Sequence, residues 1–441
     1  MRNLKNSELW GQKLIAQIRS KFKTVNGNNP FVKPRTITLV DCLMSCFSIF
    51  SLKWPSLMKY QENIRQDTLV KNLKTLYGIN NPPSDTYLRE RLDDINPDEI
   101  APAYKKIFST LQRNKVLEKY QYLEGSYLIS IDGTGQFSSE KVHCNNCCVK
   151  NHKDGRVTYY HQLLGAVLVH PDEKAVIPLC PEMIKKEDGA NKNDCERNAS
   201  KRLLARLRRE HPHLKITVIE DGLASNGPHI KELERHKMNY ILGAKKGDHP
   251  FLFDWVREAE IEEYEYQDKN GKNCHYKFVN GVPLNDAHFD LKVNFLDYTE
   301  TLANGKKTRF TWVTNFTLNK ANVSKIMKGG RARWKIENET FNTLKNQGYE
   351  FEHNYGHGKK NLCSIMSMMM MLSFLVDQAQ LLCCRLYQKA KQERGGFKTL
   401  WEYMRIIMDL LNLDSWDQFY RYLSCLLYTS PSPRDAHESR M

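Results

Sequence analysis

The spacing of apolar residues changes character along the chain. Up to about residue 125 they recur at three- and four-residue steps, the period of amphipathic helices. Within that region "VKNLKTLYGI" and "SDTYLRERLDDI" flank a turn at "NNPP", the second opening on a Ser/Asp cap. This is a helix-turn-helix-like pattern, and equally the pattern of any two packed helices. From Ser126 the period shortens, and "SYLISID", "VTYYHQLLGAVLVH" and "KAVIPLC" read as strands with Gly, Asp and Pro between them. Then "NDCERNASKRLLARLRREH" reads as helix, "LKITVIED" as strand, "NGPHIKELERHK" as helix and "MNYILGAK" as strand. That order predicts an α/β fold with a mixed sheet. Residues 247 to 308 interrupt it with alternating apolar and polar positions around "NG" turns, a β-rich insertion. Helices resume at Ala321 and return after Lys391, whereas "YTSPSPRDAHESRM" has no apolar period and reads as a disordered or foreign tail.

One position breaks the helical pattern. In "RWKIENETFNTLK" the residues Trp334, Phe341 and Leu344 mark a stripe expected to face the core, and Glu337 falls inside it. Glu339, two positions on, shares the other side with Lys335, Asn342 and Asn346. A buried carboxylate is costly without a partner, so Glu337 asks for one.

Composition narrows the partner. The 66 Lys+Arg against 51 Asp+Glu give a formal charge of +15, which points to a polyanion, nucleic acid before an acidic membrane surface. The N-terminus lacks the continuous apolar core of a secretory signal. The longest uncharged apolar run, Asn361 to Val376, has 16 residues, short of the roughly 20 that span a bilayer, so a buried helix and no membrane are expected. Twelve scattered cysteines suit a reducing cytoplasm.

Two strands end in aspartate followed by glycine: Asp132 in "LISIDGTG" and Asp221 in "ITVIEDGLAS". Each alone reads as a turn. Together, at the ends of sheet elements where open α/β folds build their sites, they can join Glu337 as oxygen ligands for Mg²⁺. Two such ions about 3.5–4 Å apart could clamp the attacking and leaving oxygens of an in-line phosphoryl transfer.

The order Asp132, Asp221, Glu337, with a β-rich insertion before the last acid, resembles the DDE transposases of bacterial insertion sequences. The gaps are 221 − 132 = 89 and 337 − 221 = 116 residues, and the similarity runs from about Ser126 to Ala390. A subgroup carries a Tyr, Arg, Glu, Lys signature around its last acid. Arg333 and Glu337 match it, Lys345 stands one position late, and Gly330 replaces the Tyr. The resemblance implies a ribonuclease-H-like core holding two Mg²⁺ ions, with Mn²⁺ able to substitute. It also implies that Arg333 and Lys345 contact DNA, and that a homodimer engages paired terminal inverted repeats and target DNA at the nucleoid of a prokaryotic cell. The expected organisation is a helical DNA-binding region (1–125), a first core part (126–246), the β insertion (247–308), a second core part (309–390), a helical region (391–427) and the tail (428–441). A nuclease with the same core and no strand transfer, and a silent DNA-binding descendant, are the rival readings.

Outside that signature, "HCNNCCVKNH" contains Cys144 and Cys147 at the Cys-x2-Cys spacing of a zinc half-site, which His152 or His161 could complete; packed thiols are the plainer reading. "FEHNYGHG" adds His353, Asn354 and His357, either as a loop capping the core or as site contacts.

Overall fold

Residues 11–25, 37–189, 192–269 and 271–425 are described by a computed structural model, so the expected tail at 428–441 lies outside the described residues. The segment Ile216–Glu220 is apolar at three of its five positions and buried at all five. A strand covered on both faces must sit inside a sheet, not at its edge. It is β6 in an eleven-stranded mixed sheet made of β1 (Tyr127–Ser139), β2 (Cys148–Asn151), β3 (Val157–His170), β4 (Glu173–Pro178), β5 (Glu182–Ile184), β6, β7 (Asn239–Gly243), β8 (Glu262–Gln267), β9 (Asn273–Asn285), β10 (His288–Thr301) and β11 (Lys307–Thr314). The main order is β2-β3-β1-β6-β7-β11-β10-β9-β8, with β4 and β5 also pairing β3. β1 and β6 are parallel, as are β6 and β7, and the remaining pairs are antiparallel.

The strands and helices expected between Ser126 and Lys245 form in the expected order. Three elements were not anticipated. β2 and β5 are only four and three residues long, too short for a period-2 signal, and the helix Pro250–Glu258 opens the β-rich segment. That segment does not stand apart from the sheet, because β10 and β11 continue it through the β11–β7 pairing of Trp312 with Gly243.

Helices cover the sheet. The uncharged run expected to be buried forms the first part of a 22-residue helix, Leu362–Cys383, which is long and apolar enough to cross a membrane and is buried throughout the window that meets that test. It packs on β4 and on the helices Leu39–Ser51, Asp85–Asp93 and Ala101–Arg113. The N-terminal helices, the sheet and the C-terminal helices thus share one continuous apolar core. The helix Asp85–Asp93 carries the Ser84 cap expected for it. At its far end Asp93 accepts the backbone N–H groups of Lys359, Lys360, Asn361 and Leu362. Burial alone would raise the Asp93 carboxyl, but these donors at a helix start hold it below its ordinary value.

The helix Leu362–Cys383 extends beyond the uncharged run because Asp377 is neutralised inside the core. Lys53 lies 2.5 Å from it, Tyr349 donates a hydrogen bond to Asp377 Oδ2, and the ammonium sits 4.0 Å from the Trp401 ring centroid. These groups come from the first, middle and last parts of the chain, so the pair locks three segments together. Removing one partner strands the other charge in an apolar core. Asp377→Leu alone is expected to lower stability by about 3–5 kcal/mol in urea unfolding, and Lys53→Met with Asp377→Leu to recover most of that loss. Equal losses in single and double variants would mean that shape, not charge, is what the pair supplies.

Candidate metal centre and its surroundings

The parallel pairing of β1 with β6 ends at Ser130 and Ile219. Two residues beyond that last pair stand Asp132, still on β1, and Asp221, just past the end of β6. Asp132 differs from expectation in one respect. It does not end its strand, because β1 continues to Ser139 on its antiparallel pairing with β3. It stands where β6 leaves β1, which opens the same kind of crevice. Asp221 caps the short helical turn Gly222–Ala224 by accepting the Leu223 N–H.

The helical segment bearing Glu337 reaches this place through three contacts. The helix Val323–Arg331 ends in a turn at Ala332 and Arg333, and the Ser130 hydroxyl donates to the Arg333 carbonyl at 3.1 Å, two residues before Asp132. Gly165, opposite Asp132 on β3, has no side chain: a Cβ there would lie 2.9 Å from the Phe341 ring. The aromatic ring therefore packs directly on the strand backbone. Gly330 is equally constrained, since a Cβ would come within 2.5 Å of Trp312 Nε1. The signature's Tyr would not fit at this position without moving that indole.

The apolar stripe is corrected by the structure. Ile336, Thr340, Phe341 and Leu344 face the core, whereas Trp334 is 53% exposed and Glu337, with its side chain 47% exposed, lies at the margin and not inside. The reason is local geometry. The turn at Ala332 and Arg333 resets the helix, and Ile336–Phe341 bonds i→i+5, so phase counted on 3.6 residues per turn drifts.

Arg333 joins the acids. Its Nη1 lies 2.6 Å from Glu337 Oε1 and 3.3 Å from Asp132 Oδ2. Asp132 and Asp221 line one small cavity of about 60 Å³, room for a few waters or a partly hydrated ion and not for a nucleotide. The Asp132 side chain is only 28% exposed. Burial pushes its carboxyl up to about 7, the Arg333 guanidinium opposes this, and the Glu337 and Asp221 carboxylates add to the rise. Asp132 and Asp221 bring hard carboxylate oxygens to one cavity, and such donors suit Mg²⁺ or Mn²⁺ and not a soft metal.

Three further lining residues escaped sequence reasoning. Glu220 precedes Asp221 and lines the same cavity, with its Oε2 2.6 Å from His229 Nε2. Burial would lower the His229 imidazole, but Glu220 raises it on balance. Glu196 lies against Gly133 and shares the cavity. The "IED" pair was a visible signal for Glu220; nothing in sequence spacing placed His229 or Glu196 there. Lys345 is remote from the acids. It pairs with Glu352 at 2.8 Å and lines a separate open cleft of about 1040 Å³ with Gln136, Phe137, Lys150 and His152.

The cysteine motif closes on one of the two histidines expected for it, His161, and on His357. His152 is not part of it: its Nε2 lies 2.8 Å from the Thr158 hydroxyl. Cys144 and Cys147 meet His161, the other candidate, together with His357, which sequence reasoning did not place there. His152 sits beyond β2 on a turn that directs it to the cleft, whereas His161, on β3, lies beneath the loop.

No protein-family model matches the chain, and no curated protein matches it. Among solved structures it is similar to the piggyBac transposase in a cryo-EM synaptic complex with hairpin DNA, at 10% identity and TM-score 0.40, over 98% of this chain and 82% of that one.

A carboxyl that keeps its proton to about pH 7 when folded, against 3.8 ordinarily, makes stability fall as pH rises between those values. Asp132→Asn removes that loss. With chelator present, the variant is expected to gain on the unsubstituted chain by a few kcal/mol at pH 8, at about 1.4 kcal/mol for each tenfold change in proton affinity, and by much less at pH 5. Urea unfolding at the two pH values measures it; an equal gain at both would show that Asp132 is ionised throughout.

Proposed function

We propose that this chain is a DNA transposase of the DDE type, with Asp132, Asp221 and Glu337 as the acids that hold its metals. The observation carrying this reading is that one arginine, Arg333, bridges Asp132 and Glu337 while Asp221 stands at the level of Asp132 across the parallel β1–β6 pair. The mixed sheet with acids on β1 and after β6 supports a ribonuclease-H-like core, and β8–β10 correspond to the insertion expected before the last acid.

Bound at these carboxylates, two Mg²⁺ ions would supply the charge that stabilises the attacking and leaving oxygens of an in-line phosphoryl transfer. The chain's own contribution is orientation. The β1–β6 pair fixes two carboxylates, and Phe341 on Gly165 fixes the third. Arg333 pairs with Asp132 and Glu337, and with metal at those oxygens its planar guanidinium would be available to hold a phosphate. Cleavage at the element's end frees a 3′-hydroxyl, which attacks target DNA in the second step. The protein acts as a homodimer on paired ends.

The basic helix-turn-helix-like segment supports end recognition. Lys71, Lys74 and Arg89 are exposed around the turn, while Arg91 is half-buried. The region shares the core with the rest of the chain, so its role is tested by charge reversal and not by deletion. Lys71→Glu with Lys74→Glu should weaken binding to terminal-repeat DNA in gel shifts and flatten its salt dependence by about one log unit per lost phosphate contact. Unchanged affinity and slope would move the DNA-binding face elsewhere.

The acids are tested by Glu337→Gln and Glu339→Gln. The first should reduce Mg²⁺-dependent cleavage of repeat-bearing DNA by more than the roughly 10–100-fold that losing an outer-sphere partner costs, with DNA binding near normal. The second should retain most activity. The reverse result would reassign the ligand, and cleavage without joined products would make the chain a nuclease.

A further inference from the structure

We propose that Cys144, Cys147, His161 and His357 hold one structural Zn²⁺ ion, which staples the loop after the Glu337-bearing helix to the sheet. This goes beyond the transposase reading and does not depend on it.

Geometry carries the assignment. A tetrahedral ion about 2.3 Å from sulfur and 2.0–2.1 Å from nitrogen sets two sulfurs about 3.8 Å apart and sulfur and nitrogen about 3.5 Å apart. The two sulfurs here are 3.8 Å apart. Sulfur–nitrogen distances are 3.3 and 3.4 Å from Cys144 and Cys147 to His161 Nε2, and 3.1 Å from Cys147 to His357 Nε2. All four atoms lie within 4.8 Å of one another. Hydrogen bonding does not explain the set, because one imidazole nitrogen offers a single proton or a single lone pair and His161 Nε2 faces both thiols. A common centre explains it.

The donor set also selects the metal. Two thiolates and two imidazoles in tetrahedral array suit Zn²⁺. A two-iron cluster would hold its histidines on a different iron from its cysteines, away from the sulfurs, whereas His161 Nε2 touches both. Four protein ligands leave no open position, the mark of a structural site.

What the ion would secure follows from where its ligands come from. Cys144 and Cys147 sit on the β1–β2 loop, His161 on β3, and His357 on the segment between the Glu337-bearing helix and Leu362–Cys383. That segment is held from its other side by Asp93 and lies against the β1–β2 loop through Asn146, whose amide donates to the Lys360 carbonyl. Gly358, at φ +67°, makes the sharp turn after His357 that a side chain would block against Asp93. Glu352 on the same segment pairs with Lys345 at the wall of the large cleft. Zinc would therefore set the wall of that cleft while leaving the Asp132 cavity alone.

The test uses the full chain purified without chelator. Metal analysis should find about one zinc per chain, and a thiol-binding mercurial should release it to a coloured zinc indicator in the folded wild-type protein. His357→Ala and Cys147→Ser should lose the zinc and His152→Ala should keep it. Cobalt exchanged into the wild-type protein should give the intense visible bands of a tetrahedral thiolate site. Absence of zinc together with absence of those bands after cobalt addition would overturn the proposal, as would loss of zinc from His152→Ala with retention in His357→Ala.

Discussion

Negative charge gathered at one level of a sheet needs a cation, and the rest of the candidate site is arranged around that requirement. Asp132 and Asp221 each follow by two residues the last pair of the parallel β1–β6 register, Ser130 with Ile219. Glu337 arrives on a helix whose approach is fixed by Gly165 beneath Phe341 and by the Ser130–Arg333 hydrogen bond. The cation beside Asp132 is Arg333, and it only partly offsets burial, since the Asp132 carboxyl still rises to about 7. A divalent ion would satisfy the same oxygens with more charge in less space.

The same logic distinguishes the two metal-competent places. The acids offer hard oxygen donors at a crevice open to solvent, fit for ions that exchange and do chemistry. The cysteine–histidine cluster offers four soft or borderline donors with no vacancy, fit for an ion that stays. β1 passes Asp132 and then leads into the loop that carries Cys144 and Cys147, so one strand connects the two places.

Local pattern made some of this legible in sequence. Compact apolar runs leading up to Asp132 and Asp221 marked the strands, and the alternation of helix and strand after residue 190 marked the mixed sheet. Contacts between distant segments were not legible: Cys147 and His357 are 210 positions apart, and only the path of the 351–361 loop brings them together. Helix phase failed for a different reason. Trp334 belongs to a 3.6-residue stripe on paper, but the turn at Arg333 and the i→i+5 segment after it rotate Ile336 and Thr340 inward instead. Gly330 departs from the resembled signature for a packing reason, since the helix crosses Trp312 too closely for any side chain.

The central claim is that the three acids form one divalent-ion centre from which Arg333 withdraws. A crystal structure of the full chain soaked in Mn²⁺, with anomalous scattering to locate the ion, tests it most directly. Anomalous density is expected between the Asp132 and Asp221 carboxylates at ligand distances of about 2.1 Å, with Glu337 turned toward it and the Arg333 guanidinium moved off both acids. Density confined to other surface acids, with Arg333 still bridging Asp132 and Glu337, would contradict it.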